Sequence, residues 1–272
     1  MSEKSKTVKK ARLDVFLVDK GLFESRSKAQ AAIMAGEVLV NEEKMDKPGT
    51  PIKIDSAIRL LGNKLPFVSR GGLKLAKGIE CFQLSLAGKI VADLGASTGG
   101  FTDCALQNGA VKVYAIDVGY GQLAWKLCTD PRVINMERTN VRFLEENSLA
   151  DKIDVVTIDV AFISLDKVLP AAYKILGPKG VVMALIKPQF EAGRENVGKK
   201  GVVKDPAIHK AVIKKVFQVA KELSFVLLGL DYSPIKGPEG NIEYLLYLGK
   251  EGTDKIAEQR IDEVVKLSHQ DL

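Results

Sequence analysis

The chain has 272 residues, 46% hydrophobic and 27% charged, with a formal net charge of +6 at pH 7. This balance supplies a packed core and excludes disordered and fibrous architectures. The longest apolar runs, such as 181–186 and 225–230, are strand-sized. A membrane-spanning helix needs roughly 18 or more apolar residues, so an integral membrane protein is excluded as well.

The basic start lacks the apolar stretch of a signal peptide, and the expected location is the cytoplasm. Cys81, Cys104 and Cys128 occur singly, without a CxxC pair, which supports neither a disulfide framework nor a metal site. His209 and His269 lie far apart in segments with helical spacing and are expected as surface residues. Positive charge gathers at the start: residues 1–70 hold 14 Lys and Arg against 9 Asp and Glu, and the remainder holds 26 against 25. A basic module beside a nearly neutral larger unit suits a polyanion, because phosphate contacts release counterions. A solvated charged face fits the same numbers.

In chain order, residues 1–10 read as a flexible basic arm, 11–61 as a small module, 62–67 as a connector and 68–272 as a second domain. In the module, Leu13, Phe16 and Leu17 share a helical face that stops at Gly21. Ser25 is placed to cap a second helix carrying Ala29, Ala32 and Ile33 up to Gly36. The apolar Val38-Leu39-Val40, the turn Lys47-Pro48-Gly49 and Ile58-Arg59-Leu60 complete it in sheet. Arg12, Arg26 and Lys28 fall near the helix starts, where backbone N–H groups favour anions. The ordered set RLD, SR..A, G.V.VN and KPG, from Arg12 to about Leu60, resembles the S-four-type RNA-binding domain.

Beyond the connector, SRGGLKLAKGIECF reads as a helix. From Lys89, the runs KIVADLG, KVYAID, RVIN, KIDVVTID and GVVMALIKP alternate with helical or turn segments, predicting an α/β fold with a doubly wound parallel sheet. Asp205 and Pro206 open a long helix through Glu222, and FVLLGLDY and IEYLLYLG form two closing strands. The expected whole is a Rossmann-like sheet with helices on both faces, behind a small α+β module.

The turn DLGASTGGF brings Asp93, Gly95, Ala96, Ser97, Gly99, Gly100 and Phe101 to a strand end, where a backbone free of side chains can approach a ligand. Its glycine spacing departs from GxGxxG, and no P-loop Lys follows, which disfavours NAD and ATP. Asp117, at the end of the next strand, is placed to bond ribose hydroxyls. S-adenosylmethionine fits such a site. Asn140 either lies beside the adenine or forms a turn. Arg194, Lys199 and Lys200, in a Gly-rich loop, are either RNA-facing or merely solvated.

Lys74, Asp159, Lys187 and Glu243 fall where an α/β sheet exposes its carboxyl edge. The motifs SRGGLKL, DLGASTGGFTD, AIDVGYGQLAWKL, TIDVAFISL, LIKPQFE and GPEGNIEY resemble the S-four-linked members of the FtsJ-like RNA 2′-O-methyltransferases, often called TlyA or hemolysin A proteins. The resemblance covers nearly the whole chain. It implies a Rossmann-like methyltransferase using S-adenosylmethionine, with ribosomal RNA or ribosomal subunits as partner; the short apolar runs and scattered Cys and His lead to no expected membrane or metal partner. It also implies a catalytic tetrad of Lys74, Asp159, Lys187 and Glu243, with Lys187 accepting or steering the hydroxyl proton. Asp159 joins the cofactor contacts, and Arg70 in SRGGLKL joins the RNA contacts. Two rival readings are a membrane-active hemolysin, for which no spanning or strongly amphipathic basic helix is seen, and an inactive RNA-binding assembly factor, against which the intact tetrad argues.

Overall fold

The computed structural model describes residues 10–61, 65–257 and 259–272. The expected basic arm, Lys10 excepted, and positions 62–64 of the expected connector lie outside the described residues. The chain divides into two compact units between Leu65 and Pro66.

The smaller unit runs β1 (Lys10–Arg12), α1 (Leu13–Asp19), α2 (Arg26–Met34), β2 (Val38–Val40), β3 (Glu43–Met45), β4 (Pro51–Lys53) and β5 (Ile58–Leu60). Both helices end alike. Gly21 and Gly36 take φ of 68° and 71°, and the next amides, Leu22 and Glu37, donate back to the carbonyls of Leu17 and Ala32 at 3.0 Å. Ser25 caps α2 as its type predicts, accepting from the Lys28 N–H at 3.3 Å. Leu13, Leu17, Ala29, Ile33 and Val38 form the core of this unit, which has an antiparallel sheet ordered β3-β2-β5 and a separate pair β1-β4. Lys10, expected in the arm, pairs with Lys53 in that second ladder.

Asp14 binds the helices together and is the polar centre of the unit. Its wholly buried carboxylate accepts from Arg12 at 3.1 and 3.0 Å, from Arg26 at 2.8 Å and from Gln30 at 2.8 Å. The Arg12 hydrogen bonds above all hold this carboxyl far below the usual range, against the opposing effect of burial.

The larger unit runs α3 (Gly71–Phe82), β6 (Ile90–Leu94), α4 (Gly100–Gln107), β7 (Lys112–Ile116), α5 (Trp125–Cys128), β8 (Val133–Met136), β9 (Ile153–Ile158), α6 (Leu169–Ile175), β10 (Leu176–Ile186), α7 (Pro188–Glu191), α8 (Pro206–Glu222), β11 (Val226–Tyr232), β12 (Tyr244–Gly249) and α9 (Gln259–Asp271). The sheet order is β11-β12-β10-β9-β6-β7-β8, with β12 antiparallel to both neighbours and the other pairings parallel. Alternate strand residues feed two cores. Val91, Val113, Val155, Met183 and Leu245 pack with Leu75 of α3, Phe101 of α4 and Leu127 of α5. Ala92, Tyr114, Val156, Val182 and Leu246 pack with α6, α8 and α9. The result is the expected three-layer α/β architecture with helices on both faces.

The histidines correct the sequence reading. His209 is fully buried, bonded through Nδ1 to the Tyr244 hydroxyl at 2.6 Å and through Nε2 to the Val203 carbonyl at 2.9 Å. Its ring centroid lies 4.8 Å from that of His269. Adjacent packing of α8 and α9 joins residues 60 positions apart, which helical spacing alone does not reveal. Burial pushes both imidazoles below their ordinary pKa.

The Asp14 contribution has a definite pH sign. A carboxyl depressed in the folded state stabilises above its unfolded pKa of about 3.9, and loses that contribution as pH falls below it. Asp14→Asn is expected to lower the urea midpoint of the smaller unit, followed by the NMR methyl signals of Leu13 and Leu17. The deficit relative to wild type should be constant from pH 7 to about 5 and shrink toward pH 3. A deficit unchanged at low pH contradicts the assignment.

Candidate active site

The chain order of strands reverses beside β6, with β7 on one side and β9 on the other. Ligands of such sheets bind beyond the carboxyl ends of the strands at this point. Asp159 directly follows β9 and Lys187 directly follows β10, so both stand at that edge. Glu243 directly precedes β12, whose antiparallel course brings its start to the same edge, with Tyr244 opposite Ile186. Lys74 reaches in from α3 on the overlying layer.

The structure thus brings together all four expected members of the tetrad. Lys74 Nζ lies 2.5 Å from Glu243 Oε2 and 3.9 Å from Asp159 Oδ2, and Lys187 Nζ lies 2.5 Å from Asp159 Oδ1. Side-chain exposures are 7% for Lys74, 1% for Glu243, 11% for Lys187 and 19% for Asp159. Two cations and two carboxylates cancel, which allows charges to remain in a crevice with little water. Asp159 touches both lysines.

Small residues make this convergence possible. A Cβ at Gly95 would stand 2.7 Å from the Asp159 carbonyl oxygen, and one at Gly237 would stand 2.6 Å from Glu243 Oε1. At Gly100 it would meet Ser69 Oγ at 2.4 Å and the Gly72 nitrogen at 2.9 Å, preventing the close approach of α3 and α4. The glycines expected to admit a ligand therefore first admit the protein's own backbone.

That packing also places several of the expected cofactor residues within the protein interior. Asp93 is fully buried beneath the turn, bonded by Thr102 at 2.7 Å and Thr157 at 3.0 Å, and burial pushes its carboxyl up to about 6. It braces the turn from below. Phe101 is buried in the core and Gly100 is enclosed against Ser69 and Gly72. Asn140 caps a 3-10 turn over Val141–Phe143, accepting from the Arg142 N–H at 3.1 Å.

The remaining turn residues border a cleft. Ala96 and Ser97 line it with Asp117, Gln122, Leu123 and Glu137, at the carboxyl ends of β6, β7 and β8. Gly95 and Gly99 have φ of 89° and 92°, and Ser97 has φ of 47°. Asp117 fixes this shape by accepting from the Ser97 N–H at 2.8 Å and the Gly119 N–H at 2.7 Å. The donor set fits an adenosine: carboxylates and a carboxamide suit ribose hydroxyls, and Ala96, Ala115 and Leu123 give an apolar wall. Gln122 and Glu137 escaped the sequence reading. Glu137 follows β8 as Asp117 follows β7, and that parallel was its available signal.

Of the expected RNA contacts, Arg12 and Arg26 grip Asp14 yet leave 52% and 55% of their side chains exposed. Lys28 pairs with Glu24. Arg70 is exposed just ahead of α3, and Arg194, Lys199 and Lys200 are exposed on the segment between α7 and α8. Phe162, which the sequence reading did not single out, is 91% exposed three residues beyond Asp159. It has φ of 62° and its ring lies 5.2 Å from Phe190. No group of His, Cys, Asp and Glu among the described residues is arranged to hold a metal.

The model of the FtsJ-like methyltransferase family matches residues 67–250, and that of the S4 domain matches residues 11–58. The chain is 51% identical over 98% of its length, and 96% of the relative's, to Bacillus subtilis YqxC, named as an rRNA methyltransferase. It is 40% identical over 94% of its length to the Mycobacterium tuberculosis 16S/23S rRNA (cytidine-2′-O)-methyltransferase TlyA, covering 96% of that protein. A solved Streptococcus thermophilus chain named as a hemolysin is 47% identical, with a TM-score of 0.78 over 97% of this chain and 98% of that one. The chain belongs to the FtsJ-like methyltransferase family, in a form that carries an S4 domain ahead of the methyltransferase fold.

Proposed function

We propose that this chain methylates ribosomal RNA at a ribose 2′-hydroxyl, with S-adenosylmethionine as donor. The observation that carries the reading is the closed Lys74–Glu243 and Lys187–Asp159 cluster beside the glycine turn at the sheet's switch point. Family membership and the rRNA methyltransferase names of its relatives point the same way. A 2′-hydroxyl substrate also requires RNA rather than DNA.

Ser97, Asp117, Gln122 and Glu137 would hold the adenosine, and the backbone around Gly95 and Gly99 would flank the methionyl end. The first turn of α4 leaves N–H groups without intrahelical partners, which suits a carboxylate. When bound, the cofactor supplies an electrophilic methyl group on a sulfonium sulfur. Transfer of that methyl group to the ribose oxygen would require the 2′-hydroxyl to give up its proton. In this scheme Lys187 first gives up its own ammonium proton to solvent, then receives the hydroxyl proton as the neutral amine, and Asp159, 2.5 Å away, stabilises the ammonium so restored. Glu243 and Asp159 hold Lys74 beside them. Such acid–base assistance contributes about 10²- to 10⁴-fold, and alignment of oxygen, carbon and sulfur contributes further.

The exposed Phe162 ring offers a stacking face for an unpaired base near the tetrad. Arg12, Arg26 and Arg70, with Arg194, Lys199 and Lys200, supply cations for the RNA backbone. As for the hemolysin name, no described helix is long and apolar enough to cross a membrane. The inactive-factor reading has to explain four nearly buried charges held in pairs at the family's motif positions.

Incubation of ribosomal subunits with methyl-labelled S-adenosylmethionine, followed by nucleoside analysis, tests the reading. The label is expected in a 2′-O-methylnucleoside, and Lys187→Ala should lower its rate by about 10² or more. Label in a base, or none in any subunit or free RNA, contradicts it. A second measurement concerns the basic loop. Lys199→Ala combined with Lys200→Ala should weaken RNA binding and reduce the slope of log affinity against log salt by about 0.7 to 0.9 per lost phosphate contact. An unchanged slope removes these lysines from the interface.

A further inference from the structure

Glu191 lies four residues beyond Lys187 and is 6% exposed, yet the mechanism above gives it no part. Its carboxylate ends at neither lysine of the tetrad. Oε2 accepts from the Ser164 hydroxyl at 2.5 Å and Oε1 from the Leu165 N–H at 2.7 Å. Ser164 and Leu165 close the segment that begins at Asp159, just as Glu191 closes the segment that begins at Lys187. Leu165 is itself buried in the core, so the carboxylate fastens one loop to a fixed point at the base of the other.

We propose that Glu191 is a positioning residue for methyl transfer: a buried clasp that holds the Asp159 and Lys187 loops in the register their ion pair needs. This rests on the functional reading above. Further features of the same two loops support it. Their tips meet where the ring of Phe162 lies 5.2 Å from that of Phe190, and Phe162 keeps a left-handed φ of 62° that its surroundings must maintain. Lys215 donates to the Glu191 backbone carbonyl at 3.1 Å, securing the clasp to α8. Burial pushes the Glu191 carboxyl above its ordinary pKa, as expected of a carboxylate whose hydrogen-bond partners, the Ser164 hydroxyl and the Leu165 N–H, are neutral. A reacting pair held by short loops is sensitive to such support, because displacement by an ångström costs about 10²-fold in rate.

The test uses the full chain, methyl-labelled S-adenosylmethionine and ribosomal RNA, with amide hydrogen exchange measured in parallel. Glu191→Ala should lower kcat by about 10- to 100-fold, with KM for cofactor and RNA changed by less than about threefold. Exchange should accelerate in residues 160–165 and 188–192, with the sheet unaffected. Glu191→Gln should restore most of kcat and the slow exchange, since its amide can accept from Leu165 and donate to Ser164. Wild-type kcat in Glu191→Ala, unchanged exchange, or a Gln variant as impaired as Ala would overturn the proposal. If Glu191→Ala does not fold, Ser164→Ala removes one arm of the clasp and should show a smaller kcat loss with faster exchange in the same segments; no change in either overturns it. Should wild type itself transfer no methyl group to RNA, the functional reading fails on its own, and exchange alone decides whether the clasp exists.

Discussion

Four charges that must neutralise one another in a nearly dry crevice impose the main constraint on the larger unit. Lys74, Asp159, Lys187 and Glu243 come from α3 and from three separate strand ends. Removing one partner of a buried pair leaves an uncompensated charge and typically costs 3–5 kcal/mol, roughly half of a small domain's stability. The elements carrying these residues must therefore arrive together. The antiparallel course of β12 answers this need, because a parallel strand would place its first residue at the opposite edge of the sheet.

Close approach follows from the same constraint. Gly95 gives way to the backbone of Asp159, Gly237 to the carboxylate of Glu243, and Gly100 to the start of α3. Asp93 lies underneath, tying β6 to β9 through Thr157 and to α4 through Thr102. The cleft beside Asp117 and the ion-paired cluster thus share one scaffold: the glycine turn that borders the cleft also fixes the position of Asp159.

Much of this was legible in the sequence, for identifiable reasons. Strands of the large sheet appear as apolar runs because both faces are covered, and Ser25, Asp205 and Pro206 mark helix starts by chemistry that acts locally. The tetrad was legible because its motifs resemble those of a known family; isolated Lys and Asp residues at strand ends carry no comparable signal. Contacts between distant segments were not legible. Asp14 sits in the quoted RLD motif, but nothing local says that Arg26 and Gln30 will converge on it. The partnership of Glu191 with Ser164, and of His209 with Tyr244 and His269, likewise depends on packing between elements. Asp93 and Phe101 shared a motif with true cleft residues, and motif membership does not distinguish a side chain beneath a turn from one above it.

The central claim is that the four charged residues act as one unit. A double-mutant cycle on methyl transfer, using Lys187→Ala, Asp159→Ala and the combined variant, tests it most directly. If Asp159 works through the ion pair with Lys187, the double variant should be about as slow as the slower single variant, and the losses in log kcat should fall far short of additive. Fully additive losses would contradict the account, because they would mean that the two residues contribute independently despite lying 2.5 Å apart.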